Sequence, residues 1–266
     1  MLLNLSLGQM QISYDDAEAN FERVRAWTAE SARRGSALAL FPELWYGGYD
    51  LEKWPRYAAP LGEGIFARLS ALARAHRVAL GGSVLELKDG RPYNTFALFD
   101  AAGECRAVYR KLHLFGPMGE GQWLQAGDSL ALLEGEWGPV GLSICYDLRF
   151  PEVARHYALQ GARLWLVPAQ WPARRIRHWQ TLMRARAIEN QMFVAGVNGV
   201  GQSGREVFGG LSAVIEPWGE PVAEAGASEV LLTVEIDLDQ ADEARRRFPV
   251  LKDRRPEVYG GEGEKS

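Results

Sequence analysis

Only two of the 266 residues are cysteine, Cys105 and Cys145, and neither belongs to a Cys-x-x-Cys pair. A disulfide framework is therefore excluded, and a cysteine-built zinc site is not encoded. Histidine is also scarce: His76, His113, His156 and His178 are scattered and never reach a spacing such as His-Glu-x-x-His. No apolar run approaches the length of a membrane span. Charge of one sign is lacking too, since the formal net charge is −4, which leaves no footprint for nucleic acid or an anionic membrane. The local runs Arg174-Arg175-Ile-Arg177 and Arg245-Arg246-Arg247 read as solvated helix faces. The first ten residues have no basic leader and alternate apolar with polar positions, as a first strand would. The expectation is a reduced, cytoplasmic protein that engages neither nucleic acid nor membrane.

What is present is an ordinary globular composition, 47% apolar and 24% charged. Strand-like runs at 2–10, 37–41, 78–87 and 164–167 alternate with helical patterns at 16–34, 65–76, 176–191 and, after Cys145, to about 159. Residues 94–99 and 104–111 read as a hairpin across Asp-Ala-Ala-Gly, and two strands flank the turn Glu216-Pro-Trp-Gly-Glu. Strands at 193–198 and 230–238 and a final charged helix complete the pattern, before a polar tail from about 250. Interleaved strands and helices imply an α/β layer fold, and hairpins beside crossovers imply mixed sheets. No linker divides the chain, so residues 1–266 are read as a single domain.

Gly199-Val-Gly201-Gln-Ser-Gly204 matches the dinucleotide pattern Gly-x-Gly-x-x-Gly. That pattern needs a helix directly after it, whereas Arg-Glu-Val-Phe-Gly-Gly follows here, so the reading is a loop.

The richest stretch is Val140-Gly-Leu-Ser-Ile-Cys145-Tyr-Asp-Leu-Arg-Phe-Pro-Glu152. A thiol lies between a strand end and a helix start marked by Pro151, where the helix dipole favours thiolate. On this segment alone a buried structural cysteine ranks first. Three more polar residues follow strand-like runs: Glu43 after Ala-Leu-Ala-Leu-Phe-Pro, Lys111 after Ala-Val-Tyr-Arg, and Glu120 in a Gly-rich loop. Singly these read as a helix-start acid, a solvated edge charge and an exposed loop residue. Together they supply the base, cation and thiol of an acyl-transfer site at the carboxyl ends of strands.

Phe-Pro-Glu43, Tyr-Arg-Lys111-Leu-His-Leu-Phe and Cys145-Tyr-Asp-Leu-Arg-Phe-Pro-Glu resemble the three signature blocks of the nitrilase (carbon–nitrogen hydrolase) superfamily. The resemblance continues through Trp179-x-x-Leu-x-x-Ala-Arg-Ala-Ile-Glu-Asn-Gln and Glu216-Pro-Trp-Gly to Asp253-Arg-Arg-Pro-Glu-Val-Tyr. It implies a four-layer αββα sandwich with two mixed sheets and a Glu–Lys–Cys triad, here Glu43, Lys111 and Cys145, with Glu120 as the supporting second glutamate. It implies hydrolysis of a linear amide without cofactor or metal, through a Cys thioester, and a homo-oligomer, commonly a dimer. An ordinary thiol titrates near roughly 8.5, so Lys111 is expected to favour the thiolate while Glu43 accepts the proton. By resemblance, Lys111 and the Tyr146 N–H hold the oxyanion.

Within the superfamily the blocks are most similar to the omega-amidases, and Val167-Pro-Ala-Gln-Trp-Pro…His178-Trp-Gln resembles bacterial members. Such enzymes release ammonia from 2-oxoglutaramate or 2-oxosuccinamate; deaminated glutathione and N-carbamoyl amino acids are the alternatives, and a non-catalytic scaffold of the same fold is a third reading. A substrate carboxylate calls for arginine. Arg149 is the first candidate, with an ion pair to Asp147 or Glu152 as its competing structural role; Arg174 and Arg175 come next. Trp45, Tyr46, Trp123 and Trp171 are read as pocket lining or as core. One departure stands out: Asn198-Gly-Val-Gly replaces the Asn-Arg-Val-Gly usual in similar chains.

Overall fold

The computed structural model describes residues 1–259, so the end of the polar tail lies outside the described residues. Helices α1 (Ala17–Arg33), α2 (Gly64–His76), α3 (Glu120–Trp123), α4 (Pro151–Leu159), α5 (Ile176–Asn190), α6 (Asp239–Arg247) and α7 (Pro256–Tyr259) surround two large mixed sheets. Asp16 caps α1 by accepting from the Ala19 N–H at 3.0 Å.

The first sheet runs in the order Val230–Asp237, Leu2–Gln9, Leu38–Leu40, Ala79–Gly81, Arg91–Phe99, Ser83–Lys88, with Cys105–Arg110 also on Arg91–Phe99. The second runs Pro221–Glu224, Ala213–Ile215, Phe193–Asn198, Leu164–Ala169, Val140–Leu142, Ala131–Leu133. Three neighbouring strands at the heart of each are parallel, and the pairs outside them are antiparallel.

Side-chain alternation builds the layers. Leu38 and Leu40 enter the core shared with Val140, Leu142 and Leu166 of the second sheet. Ala39 and Phe41 point the other way, into a cluster with Phe21 and Val24 of α1 and Phe66 and Leu69 of α2. On the far side of the second sheet, Val153 and Tyr157 of α4 and Trp179 and Met183 of α5 complete the packing. The result is the expected αββα sandwich. Gly8 permits one close approach: a Cβ there would stand 2.7 Å from the Phe41 ring.

Several elements differ from the sequence reading. The strand expected over 78–87 breaks at Gly82, whose φ of +147° no other residue adopts with ease. Ala79–Gly81 pairs parallel with Leu38–Leu40, and Ser83–Lys88 turns back against Arg91–Phe99. The glycine-rich decoy is the strand Val200–Ser203 of a two-stranded hairpin with Glu206–Gly209. The helix after Cys145 does begin at Pro151, as the sequence indicates, with a 3-10 turn, Cys145–Arg149, between it and the strand end. Among the described residues no helix is long and apolar enough to cross a membrane.

Candidate active site

Glu43, Lys111, Glu120 and Cys145 come together at the carboxyl ends of strands from both sheets. Glu43 follows Leu38–Leu40, Lys111 follows Cys105–Arg110, and Cys145 follows Val140–Leu142. The Glu43 N–H donates to the Ala169 carbonyl, 3.4 Å away, which joins the two sheets at this point.

Lys111 is fully buried, as are Glu43 and Glu120. Its Nζ donates to Glu43 Oε1 at 2.7 Å and to Glu120 Oε1 at 2.6 Å. Glu43 also accepts from Asn94 Nδ2 (2.8 Å) and, through Oε2, from the Gln170 N–H (2.9 Å). Glu120 also accepts from the Tyr49 hydroxyl and the Phe115 N–H, both at 2.7 Å. Glu120 is thus no exposed loop residue; it opens the short α3 and points inward. Two carboxylates and one ammonium share this space, and every charged oxygen is hydrogen-bonded.

Burial pushes Glu43 above the usual carboxylate range and Glu120 adds to this, while Lys111 pulls it back. Burial pulls Lys111 down, but Glu120 and Glu43 more than reverse this and hold it above the ordinary ammonium range. The Cys145 thiol rises well above its ordinary value through burial and then the charge of Glu43, against the pull of Lys111. This runs against the expectation that the helix dipole and Lys111 favour the thiolate: burial with a neighbouring carboxylate outweighs one cation.

Cys145 adopts φ of +46°, a left-handed conformation that costs a non-glycine residue about 1–3 kcal/mol. Asp147, fully buried, pins the turn: it accepts from the Ile144 N–H (2.9 Å), the Tyr109 hydroxyl (2.7 Å) and the His113 N–H (3.1 Å). Tyr109 and His113 flank Lys111, so one carboxylate ties the lysine segment to the thiol segment. From α5, Arg186 donates to the carbonyls of Leu148 (3.0 Å) and Arg149 (3.2 Å). The Tyr146 N–H precedes the first bond of the turn, Asp147 N–H to Ile144 O, which leaves it without a partner inside the turn.

A cavity opens in front of Cys145, between Phe115, Tyr146, Arg149, Trp171 and Arg175. Arg149 makes no ion pair with Asp147 or Glu152; its guanidinium lies 4.7 Å over the Trp171 ring and meets His178 Nδ1 at 3.3 Å. Arg174 turns away to pair with Glu206 at 2.9 Å. Of the four aromatics considered, only Trp171 lines the cavity. Trp45 is core beside Phe21 and Phe41, Tyr46 donates to Glu18 at 3.0 Å, and Trp123 is exposed. A Cβ at Gly199 would meet the Gln170 side chain at 3.4 Å, and the residue lies outside the cavity lining. Sequence reasoning missed the roles of Tyr49 and Asn94, which lie outside the motif blocks, and of Asp147, Gln170 and Arg186, which lie inside them. Among the described residues no group of three or more His, Cys, Asp or Glu could hold a metal ion.

The model of the carbon–nitrogen hydrolase family matches residues 4–246. A 2-oxoglutaramate amidase of Bacillus subtilis (strain 168) is 37% identical over 97% of this chain and 100% of its own length. Among solved structures, Saccharomyces cerevisiae Nit3, a member of branch 10 of the nitrilase superfamily, superposes with a TM-score of 0.88 at 29% identity, covering 96% of this chain and 97% of that one. A mutant amidase from Nesterenkonia sp. AN1, with acrylamide added to its active-site cysteine, gives 0.85 at 29% identity over 97% and 98%. The chain belongs to the carbon–nitrogen hydrolase family.

Lys111→Met would leave two buried carboxylates facing each other without their cation. Such a loss typically costs about 3–5 kcal/mol, so urea denaturation should show a fall of that size, with partial recovery at acid pH as the carboxylates protonate.

Proposed function

We propose that this carbon–nitrogen hydrolase is an omega-amidase, releasing ammonia from 2-oxo-acid amides of the 2-oxoglutaramate or 2-oxosuccinamate type. It is an amidase acting on non-peptide C–N bonds, working as one domain. The observation that carries the reading is the fully buried Glu43–Lys111–Glu120 cluster against the Cys145 thiol. Arg149, without a carboxylate partner on the wall of the same cavity, supports an anionic substrate, as does the 2-oxoglutaramate amidase relative.

In the proposed mechanism the thiol stays protonated until the substrate arrives. Its proton passes to Glu43 as Sγ adds to the amide carbon, and the carbonyl oxygen becomes an oxyanion. Lys111 and the Tyr146 N–H stabilise that charge; losing one such donor typically costs about 3 kcal/mol in the barrier. Glu43 then protonates the amide nitrogen, the C–N bond breaks, and ammonia leaves a thioester behind. A water gives its proton to Glu43 and attacks the thioester; the acid departs and the proton returns to sulfur. Glu120 holds Lys111 in place.

Two copies of the chain form a dimer in this reading, and the protein is cytoplasmic. Exposed Ile188, Trp218 and Phe248 support the pairing. Their segments lie close together, since Ile188 abuts Gly219 and Arg247 lies over the Trp218 ring. Sedimentation at equilibrium should give twice the chain mass, and Trp218→Glu should shift the protein toward monomer.

Cys145→Ala should fold normally and abolish ammonia release. In a panel of 2-oxoglutaramate, 2-oxosuccinamate, deaminated glutathione and N-carbamoyl amino acids, the wild type should favour the first two; preference for either of the others would overturn the substrate assignment. Because Glu43 acts as a carboxylate and its pKa is raised, kcat/KM should climb with pH through a limb above the ordinary glutamate value near about 4.3. Lys111 titrates above the usual range, so activity should stay level through neutral and mildly alkaline pH. A limb at or below the ordinary glutamate value would contradict this.

A further inference from the structure

The cavity in front of Cys145 carries two guanidinium groups and no carboxylate. Arg149 closes the turn Cys145–Arg149, and Arg175 closes a second 3-10 turn, Ala173–Arg175, just before α5. Arg110 is paired with Glu86, Arg186 with Glu189, and the adjacent Arg174 with Glu206. Arg149 and Arg175 carry no such carboxylate among the described residues. Among the described residues Arg149 has His178 as its side-chain partner, and the buried Nη2 of Arg175 has none.

The two side chains are fixed rather than loose. Arg149 lies 4.7 Å over the Trp171 ring and Arg175 lies 5.2 Å over that of Phe115. The Arg175 carbonyl also accepts from Trp171 Nε1 at 2.9 Å, so the two arginines lean on a shared tryptophan. They also sense each other. Burial first, and the like charge of Arg175 in addition, hold Arg149 below the usual guanidinium range. Two half-buried cations facing one cavity, one with an unpartnered N–H, call for an anion with more than one acceptor.

We propose that Arg175 is a specificity-determining residue: with Arg149 it forms a two-guanidinium mouth that accepts an amide carrying a carboxylate and no cation, and rejects the 2-amino counterpart of the same acid. The proposal rests on the reading of Cys145 as the site of amide hydrolysis. A 2-oxo acid presents its carboxylate and the adjacent oxo oxygen as neighbouring acceptors, one set for each guanidinium. A 2-amino acid places an ammonium at that carbon instead, against two like charges in a half-buried site. The aromatic faces of Trp171 and Phe115, which could otherwise receive an ammonium, are already covered by the two arginines. Selectivity thus comes from a repulsive element as much as from an attractive one.

The test compares wild type, Arg175→Met and Arg175→Lys on 2-oxoglutaramate, glutamine and the neutral pentanamide, with kcat and KM read separately from ammonia release. For Arg175→Met, kcat/KM on 2-oxoglutaramate should fall about 10- to 100-fold, the range for losing a charge-assisted hydrogen bond. The fall should be mainly in KM and far exceed any change on pentanamide. The preference for 2-oxoglutaramate over glutamine should narrow, and Arg175→Lys should keep that preference while binding more weakly. Equal losses on all three amides, or an unchanged preference, would overturn the proposal. Calorimetric binding of 2-oxoglutarate needs no turnover and separates the two readings. Weaker binding to Arg175→Met supports the mouth even if no amide is cleaved, and unaltered binding refutes it even if every amide is cleaved.

Discussion

The structure turns on one ammonium group held between two carboxylates where water does not reach. Lys111 lies between Glu43 and Glu120 with all three fully buried. Charges in such a place are tolerable only if each is paired and every remaining lone pair is satisfied. That requirement explains the otherwise unremarkable residues around them. Asn94 and the Gln170 N–H complete Glu43, while Tyr49 and the Phe115 N–H complete Glu120. These partners come from segments far apart in the chain, so the cluster exists only when both sheets are assembled. Beside it, Asp147 and Arg186 hold the turn in which Cys145 adopts a left-handed conformation that its own side chain disfavours.

The sandwich supplies the means. Its parallel strands end on one side of the molecule, and the residues just past Leu38–Leu40, Val140–Leu142 and Leu164–Ala169 are delivered to a common level. The chain then crosses between sheets at short range, through Glu43 N–H to Ala169 and Gln170 Nε2 to the Glu43 carbonyl at 2.9 Å. Asp147 performs the matching task for the lysine and thiol segments. The spacing of the site is thereby inherited from the packing of the two inner faces, whose leucines and valines leave no freedom to slide.

Alternation and turn chemistry made most strands, the main helices and the layer order legible, because those follow from local period and burial. Breaks set by tertiary contact were hidden: Gly82 ends a strand because its neighbour in space is the Phe41 carbonyl, 2.8 Å from a Cβ built there. At the site, Glu43, Lys111, Glu120 and Cys145 were recognisable by residue type and resemblance. Their environment was not. Nothing local distinguishes Glu120, in a run of glycines, from a solvated residue, and nothing announces that Asp147 is a structural hub rather than a partner for Arg149. Trp45 and Trp171 look alike in the sequence, yet one fills the core and the other lines a cavity. Such distinctions depend on what lies opposite in space, and no period in the chain encodes that.

The raised proton affinities of Cys145 and Glu43 fit the proposed chemistry better than a resting thiolate does. Burial is the first cause for both groups, so it acts on donor and acceptor in the same direction. In the proposed mechanism the thiol stays neutral and guarded until substrate arrives. Once a carbonyl is placed beside it, negative charge moves from sulfur to oxygen, toward the donors poised for it, and the lysine that opposes both carboxylates opposes the new anion as well. A site that made the thiolate in advance would have to surrender that stabilisation at the moment of attack. In the proposed mechanism the cation's remaining attraction is spent only when charge develops, which is where electrostatic preorganisation lowers a barrier.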